Sequence, residues 1–205
     1  MFDVPKGRHL FDFRGKADIM RKKELRKILK ERATEMSQEY IDSASADIVE
    51  HVVESEEYRN AQRIFMYVSM PREPQTDELI NAALRDGKAV YVPRCIPGPE
   101  HLMEAVRIES LDDLESGSYG IREPRMGGEL CAPEDLDLAI IPCMSAWPDG
   151  RRLGHGAGYY DRFLAHCRCP KMILCFEKMM DDRIEMDEHD IYMDVVVTET
   201  GATKI

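Results

Sequence analysis

The chain has 205 residues, of which 43% are hydrophobic, and a formal net charge of −11. Its length suits one domain with one core, and its acidic balance argues against nucleic acid as the main partner because phosphate binding needs a basic face. The sequence has no apolar run of about 18 residues and no signal-like apolar stretch near its start, so we expect a cytoplasmic protein without a membrane span.

The first half of the chain alternates predicted helices and strands. The segments Asp18–Arg32 and Ser37–Ser55 carry apolar residues at helical spacing, and the first residue of Asp18–Arg32 suits an N-cap. The apolar run Arg63–Met70 predicts a buried strand. Thr76–Asp86 predicts a helix capped by its first residue, and Ala89–Pro93 predicts a second strand.

The second half ends in a similar alternation. His101–Ile108 predicts a strand, the glycine-rich stretch Gly117–Gly128 a loop, and Leu136–Pro142 the clearest buried strand. The remaining elements are a helical turn at Leu111–Glu115, a helix at about Gly158–Cys167, and the last strands at Lys171–Phe176 and Asp194–Thr198. This order predicts an α/β fold: a single three-layer domain, residues 18–205, with a mainly parallel sheet flanked by helices. Residues 1–17 form an N-terminal extension to which we assign no role.

The six cysteines are too sparse for a disulfide scaffold of the small secreted type. Cys167 and Cys169 form a C-x-C, and no second pair stands at the spacing of a zinc ribbon. We therefore expect reduced thiols rather than disulfides or a zinc site.

The segment Asp149–Phe163 carries the strongest chemical signal. It follows the clearest strand, opens a helix, and contains three alternating glycines at positions 154, 156 and 158. Such a turn points backbone N–H groups and a helix N-terminus at an anion, and Arg152 adds a guanidinium. The spacing matches neither the P-loop nor the dinucleotide fingerprint, so a tight strand-to-helix turn without a ligand remains an alternative.

The same segment reads R-L-G-H-G-A-G-Y-Y-D-R-F-L over residues 152–164 and resembles the signature of the 5-formyltetrahydrofolate cyclo-ligase family. Further matches keep the family's order along the chain. They are K-K-E-L-R at Lys22–Arg26, S-M-P-R-E-P-Q-T at Ser69–Thr76, Pro93-Arg94, Met103, G-I-R-E-P at Gly120–Pro124, and His189-Asp190. The resemblance runs from about Met20 to Glu199.

The resemblance implies an enzyme that uses ATP and Mg²⁺ to convert 5-formyltetrahydrofolate into 5,10-methenyltetrahydrofolate, with release of ADP and phosphate. It implies Arg152 and Tyr159 as catalytic residues and Asp161 and Asp190 as magnesium ligands. The ATP-binding residues implied are Lys22, Lys23, Arg26, Arg152, Gly154, His155, Gly156, Ala157, Gly158, Tyr159 and Tyr160. The residues implied for the folate substrate are Val68, Glu73, His155 and Tyr159. The implied partner is a small reduced folate, bound by a monomer or weak homo-oligomer.

Two readings of these residues stay open. Lys22 and Arg26 stand at i and i+4, which gives either a shared ligand-binding face or a solvated charged face. If folding brings Asp161 and Asp190 to one ion, we expect the two carboxylates to repel each other when the ion is absent.

Three departures from the family pattern leave the substrate open. They are Ala157 in place of a usual lysine or glycine, Cys143 in place of glycine, and Met179 in place of glutamine. A diverged paralogue that activates another formamide or carboxylate with ATP is therefore an alternative. A non-catalytic folate- or nucleotide-binding protein is a further one.

Overall fold

The computed structural model describes residues 21–117 and 120–205. The helices are α1 (Lys22–Thr34), α2 (Gln38–Glu54), α3 (Glu56–Asn60), α4 (Asp77–Arg85) and α5 (Tyr159–Leu164). The strands of the first half are β1 (Arg63–Met66), β2 (Ala89–Cys95), β3 (Met103–Ile108), β4 (Leu114–Ser116) and β5 (Arg122–Pro124). The later strands are β6 (Leu130–Cys131), β7 (Leu138–Ile141), β8 (Ser145–Ala146), β9 (Arg152–Leu153), β10 (Lys171–Leu174), β11 (Val195–Thr198) and β12 (Gly201–Lys204). The N-cap predicted at residue 18 and the extension 1–17 lie outside the described residues.

The main sheet has the strand order β12-β11-β10-β7-β1-β2-β3-β6. Strands β11, β10, β7, β1 and β2 are parallel, and antiparallel strands close both edges. Helices flank this sheet, with α2 packed against β11 and α4 against β2. The predicted α/β fold with a mainly parallel sheet in a single domain is confirmed.

The central strands are continuous apolar runs in the sequence because they lie in the core of the protein. All four residues of β7 are buried, and β10 and β11 are buried almost throughout. A parallel strand covered on both faces has no solvent side, so its residues need not alternate with polar ones. The loops at the carboxyl ends of these strands consequently meet at one edge, where ligands of such sheets gather.

The first strand is shorter than predicted, and the residues that follow it are held by hydrogen bonds to the Thr76 side chain. The strand β1 ends at Met66 instead of Met70. The Thr76 hydroxyl donates to the Tyr67 carbonyl at 2.9 Å and accepts from the Ser69 N–H at 3.1 Å. Thr76 is fully buried and makes no capping bond to α4, so its predicted role as a side-chain cap is wrong.

The stretch 117–128 is not only a loop. Within its described residues, β5 pairs antiparallel with β4, with Leu114 opposite Pro124 and Ser116 opposite Arg122. Each strand of this hairpin has only three residues. Such a short pattern cannot be distinguished from turn residues in the sequence. The predicted helix at 158–167 is also shorter, since α5 ends at Leu164.

All six cysteines lie in the described residues and all are free thiols, as predicted. Within residues 21–117 and 120–205, no cluster of three or more His, Cys, Asp or Glu side chains suits a metal ion. No helix in this part of the chain has both the length and the apolar character needed to span a membrane.

Candidate active site

The glycine-rich segment folds back against the carboxyl end of β7, where the sequence predicted it. Strand β9 pairs with β8, and the Met144 N–H donates to the Leu153 carbonyl at 2.8 Å. Arg152 is buried, and its Nε donates to the Pro142 carbonyl at 3.0 Å. These bonds fix the start of the segment, and α5 begins directly after its last glycine.

Three guanidinium groups lie against the three alternating glycines. A Cβ atom at position 154, 156 or 158 would lie 2.9, 3.2 or 2.7 Å from the guanidinium of Arg152, Arg26 or Arg162 respectively. Gly156 and Gly158 also have φ of 102° and 77°, which disfavours any side chain there. The segment therefore combines exposed backbone with three neighbouring guanidinium groups, an arrangement suited to a polyanion.

A cavity of about 730 Å³, here called the polar cavity, separates this segment from α1. Lys22 and Arg26 both line it, and the Arg26 Nε donates to the Gly154 carbonyl at 2.8 Å. The i, i+4 pair on α1 thus shares one face that looks onto the glycines, which disfavours the solvated-face alternative. Lys23 is exposed and is not among the described residues that line this cavity.

Lys22 forms ion pairs with two acids of the segment 187–190. Its ammonium contacts Asp190, and it lies 2.5 Å from Asp187. Burial disfavours its charge, but the hydrogen bonds from Lys22 to the two carboxylates outweigh burial and raise the Lys22 pKa. The same hydrogen bond lowers the Asp187 pKa. The lysine therefore stays charged at neutral pH and faces the polar cavity with its charge partly compensated.

The two predicted metal ligands both line the polar cavity, and each is paired with a cation. Asp161 lies 3.1 Å from Arg152, and Asp190 contacts Lys22. Each carboxylate charge is therefore compensated by a cation, which weakens the repulsion expected between the two acids. Among the described residues, Asp161 Oδ2 and Asp190 Oδ1 accept no hydrogen bond, so each acid keeps one oxygen for a hard cation such as Mg²⁺.

A second cavity of about 360 Å³, here called the apolar cavity, opens on the other side of the glycine-rich segment. It shares the three glycines, Arg152 and Asp161 with the polar cavity. Its apolar and aromatic lining includes Tyr67, Val68, Met103, Tyr159 and Tyr160. Burial raises the Tyr160 pKa, which keeps that phenol neutral. The predicted substrate positions Val68, Glu73, His155 and Tyr159 all line this cavity.

Glu73 and His155 form a pair that sequence reasoning did not predict. The His155 Nε2 lies 3.1 Å from Glu73 Oε1, and Glu73 Oε2 accepts from the Met70 N–H at 2.9 Å. Glu73 is buried, whereas the His155 side chain is 47% exposed. The buried carboxylate thus orients an accessible imidazole that lines the apolar cavity.

Arg162 and His101 also line these cavities and were missed as site residues. Arg162 donates to the Ala157 carbonyl at 3.3 Å and lies in the polar cavity, and its only sequence signal was its place in the signature. His101 has a φ of 52°, and its Nδ1 is buried without a hydrogen-bond partner among the described residues. Its ring meets Tyr159 edge-on at 5.0 Å. A single histidine after a proline-containing loop gives no local pattern that predicts this position.

The fold and these cavities define the class of the protein: an α/β protein with a glycine-rich loop, flanked by three guanidinium groups, at the carboxyl edge of its sheet. Residues 18–199 match the family model of the 5-formyltetrahydrofolate cyclo-ligases. The chain belongs to this family, which is a family of ligases.

Relatives agree with this assignment. A mouse 5-formyltetrahydrofolate cyclo-ligase is 32% identical over 190 residues, covering 87% of this chain and 93% of the relative. A Caenorhabditis elegans protein named as a probable 5-formyltetrahydrofolate cyclo-ligase is 32% identical, covering 87% and 92%. The solved 5,10-methenyltetrahydrofolate synthetase of Aquifex aeolicus superposes with a TM-score of 0.80 at 29% identity, covering 90% of this chain and 93% of that one.

Proposed function

We propose that this chain catalyses the ATP- and Mg²⁺-dependent cyclisation of 5-formyltetrahydrofolate to 5,10-methenyltetrahydrofolate, with ADP and phosphate as the other products. The observation that carries the proposal is the meeting of two unlike cavities at one glycine-rich segment. A polyanion suits the polar cavity, and a flat, weakly polar ring suits the apolar one. Phosphoryl transfer between their ligands needs this adjacency.

The polar cavity is the proposed ATP site. Lys22, Arg26 and Arg152 supply cations, and the three glycines at 154, 156 and 158 supply backbone N–H groups just before α5. Arg162 adds a third guanidinium beside Ala157, which has no charge of its own. ATP phosphates would displace the two aspartates that now neutralise Lys22.

The apolar cavity is the proposed site of the pterin ring. Val68 and Tyr159 supply apolar contact, and Glu73 supplies a carboxylate for the amine and ring N–H of the pterin. Both Glu73 oxygens already accept one hydrogen bond, from Met70 N–H and from His155. The substrate therefore meets a carboxylate of fixed orientation rather than a mobile one.

The chemistry needs positioning more than covalent help. The formyl oxygen attacks the γ-phosphorus. The bond between this phosphorus and the bridging oxygen breaks, and ADP leaves with that oxygen. The N10 amine then attacks the formyl carbon, the phosphate leaves with the former formyl oxygen, and N10 loses its proton. Arg152 stabilises negative charge on the phosphoryl group, and Tyr159 holds the folate next to the glycine-rich segment.

Asp161 and Asp190 would hold the magnesium ion through the oxygens that they keep available. The ion would offset negative charge on the phosphates. Both acids are short side chains on separate parts of the chain that meet at the polar cavity. Two protein carboxylates leave the other magnesium positions to phosphate oxygens and water, as this ion prefers.

A single assay tests the proposal. Purified protein is mixed with ATP, Mg²⁺ and 5-formyltetrahydrofolate, and the absorbance of the methenyl product is followed. Product formation above background supports the cyclo-ligase. ATP hydrolysis with another formamide but not with this folate would favour the diverged paralogue, and ligand binding without turnover would favour a non-catalytic binding protein.

A further inference from the structure

His155 belongs to the segment at which the two proposed ligands meet. It stands between Gly154 and Gly156, and both of these glycines line the polar cavity as well as the apolar one. The His155 side chain lines the apolar cavity, and 47% of it is exposed. The imidazole is therefore accessible to a ligand of the apolar cavity, close to the groups proposed to hold the phosphates.

The contact with Glu73 determines which ring nitrogen of His155 is available. Glu73 Oε1 lies 3.1 Å from His155 Nε2, and the Met70 N–H donates to the other carboxylate oxygen at 2.9 Å. Because a carboxylate accepts hydrogen bonds and does not donate them, Nε2 carries the hydrogen. Nδ1 then keeps its lone pair, and no residue in 21–117 or 120–205 donates a hydrogen bond to it. The pair thus leaves the basic nitrogen of a neutral imidazole available to a ligand.

The ring closure of the proposed reaction releases a proton. The N10 atom of the reduced folate carries one hydrogen, whereas N10 of the methenyl product carries none. When the N10 lone pair forms a bond to the formyl carbon, N10 becomes positively charged and acidic. A positioned general base typically accelerates a step of this kind by about 10²- to 10⁴-fold.

The reaction itself limits where N10 can lie. The formyl oxygen has to reach the γ-phosphate beside the glycines, and N10 has to reach the formyl carbon, which is bonded to that oxygen. N10 is therefore close to the glycine-rich segment, whichever way the rest of the folate runs. His155 is part of this segment and lines the proposed folate site.

Other ionisable groups of the apolar cavity suit this role less well. Burial raises the pKa of Tyr67 and of Tyr160, and it raises the pKa of Cys95 to about 11, so these groups keep their protons at neutral pH. Carboxylates are weaker bases than an imidazole at this pH. The carboxylates that line the cavity are Glu73, Glu123 and Asp161.

His101 is the second histidine in the described lining of the apolar cavity. Its Nδ1 is buried without a hydrogen-bond partner among the described residues, and its ring contacts Tyr159 edge-on at 5.0 Å. It lies in the loop before β3, away in sequence from the glycine-rich segment. His155 differs from it in having a buried carboxylate that orients the ring and would stabilise its charged form.

We propose that His155 is the catalytic base of ring closure and that Glu73 positions it. The proposal rests on the function proposed above. The N10 lone pair forms the new bond to carbon, and the bond from carbon to the phosphate oxygen breaks with its electron pair going to the phosphate. The N10 proton passes to Nδ1 of His155. Glu73 stabilises the resulting imidazolium, which then loses the proton to water.

Single-turnover kinetics separate ring closure from phosphoryl transfer. At saturating 5-formyltetrahydrofolate, ADP is measured in quenched samples and the methenyl product by absorbance. His155→Gln keeps an amide that can reach Glu73 but has no basic nitrogen. We expect its ADP formation to stay within about 3-fold of the wild-type rate and its methenyl formation to be slower by about 100-fold or more.

Two further variants test the chemistry and the positioning. Imidazole added to His155→Ala should raise methenyl formation by about 10-fold or more and leave ADP formation unchanged, because the exposed position admits a base from the buffer. Glu73→Gln removes the charge that stabilises the imidazolium. It should slow methenyl formation by about 10-fold at saturating folate, again with little change in ADP formation.

His166→Gln is the matched control. His166 is an exposed histidine that lines neither the polar nor the apolar cavity, so both rates should equal those of the wild type. A thermal melt of each variant checks the fold. If His155→Gln does not fold, rescue of His155→Ala by imidazole carries the test.

A parallel loss of both rates in His155→Gln would overturn the proposal, because His155 would then act in binding or in phosphoryl transfer. Absence of rescue by imidazole in His155→Ala would overturn it as well. Rescue of His101→Ala instead would assign the base to His101. Failure of the proposed function gives a different result: the wild type would form neither ADP nor the methenyl product, and both proposals would fall.

Discussion

Two ion-pair clusters connect helix α1 to the segment 181–190, and the acids of the two clusters differ in their exposure to solvent. At its carboxyl end, Arg32 and Arg183 lie 3.1 and 2.7 Å from Asp181, whose side chain is 5% exposed. At its amino end, Lys22 contacts Asp187 and Asp190, whose side chains are 73% and 22% exposed. The acid that holds the helix is therefore buried at the carboxyl end, whereas the two acids at the amino end are exposed or partly exposed.

The Asp181 cluster anchors α1, whereas the Lys22 ion pairs can be exchanged for contacts to a ligand. Arg32 also donates to the Lys178 and Met180 carbonyls, and the guanidinium of Arg183 reaches both Asp181 oxygens. Breaking that cluster leaves buried charge unpaired, which is costly. The Lys22 pairs open onto the polar cavity, where phosphate oxygens are alternative partners of the same charge. We infer that α1 is fixed by Arg32 so that Lys22 and Arg26 can change partners.

The largest effect is expected at the proposed metal ligands. Asp161→Asn and Asp190→Asn should each lower turnover by about 100-fold or more, because a bound ion supplies several kcal/mol of charge stabilisation. Both proteins should stay folded, with Asp161→Asn the less stable because it leaves the buried Arg152 without its acid. Turnover against magnesium concentration, beside a thermal melt without metal, measures both effects. Near-normal turnover at ordinary magnesium would remove that aspartate from the site.

The next effect concerns the exchangeable end of α1. Lys22→Ala and Arg26→Ala should raise KM for ATP by about 10- to 150-fold, which corresponds to the loss of one charged hydrogen bond. The KM for folate should change less. Lys23→Ala is the neighbouring comparison: Lys23 is exposed and outside the lining of the polar cavity, so a normal KM there would withdraw it from the predicted ATP contacts. Unchanged ATP kinetics in Lys22→Ala and Arg26→Ala would contradict the ATP site.

A substitution at the carboxyl end of α1 should change the stability of the protein rather than its kinetic constants. Asp181→Asn should lower the free energy of unfolding by about 2 kcal/mol at neutral pH, a value reduced for the partial exposure of both arginines. The Arg183 hydrogen bond lowers the Asp181 pKa to about 2, so this stabilisation is present above pH 4 and fades as pH falls toward 2. Denaturant titrations at several pH values measure it. The exposed Asp182→Asn serves as control, and a pH-independent difference between wild type and Asp181→Asn would contradict the assignment.

A smaller effect is expected from Glu73→Gln. The amide keeps one acceptor but loses the charge, so folate affinity should fall by about 10-fold while ATP affinity stays nearly intact. Calorimetry with each ligand separates the two. Equal folate affinity in the two proteins would mean that Glu73 orients His155 and does not hold the pterin.

The smallest effect is the release of Lys22 from its exposed partner. Asp187→Asn removes one of the two acids that compete with ATP for this lysine, so KM for ATP should fall by about 2- to 5-fold. Stability should stay the same, in contrast to Asp181→Asn. A rise in KM would show instead that Asp187 takes part in binding the nucleotide or its metal.

The sequence by itself determined the local features of this protein. Apolar periodicity predicted α1, α2, α4 and the buried strands, since a helical or strand repeat depends only on neighbouring residues. The glycine-rich segment after β7 was predicted from neighbouring residues as well, whereas the role of Lys22 and Arg26 was implied by the family resemblance. The prediction was wrong where a long-range contact determines a residue's role. The Thr76 hydroxyl, for example, donates to the Tyr67 carbonyl instead of capping a helix.

Only the tertiary structure decided which distant groups meet. The Glu73–His155 pair joins residues 82 positions apart, and Lys22 and Asp190 are 168 apart. Neither separation follows from any repeat, because the order of strands in the sheet brings these loops to one edge.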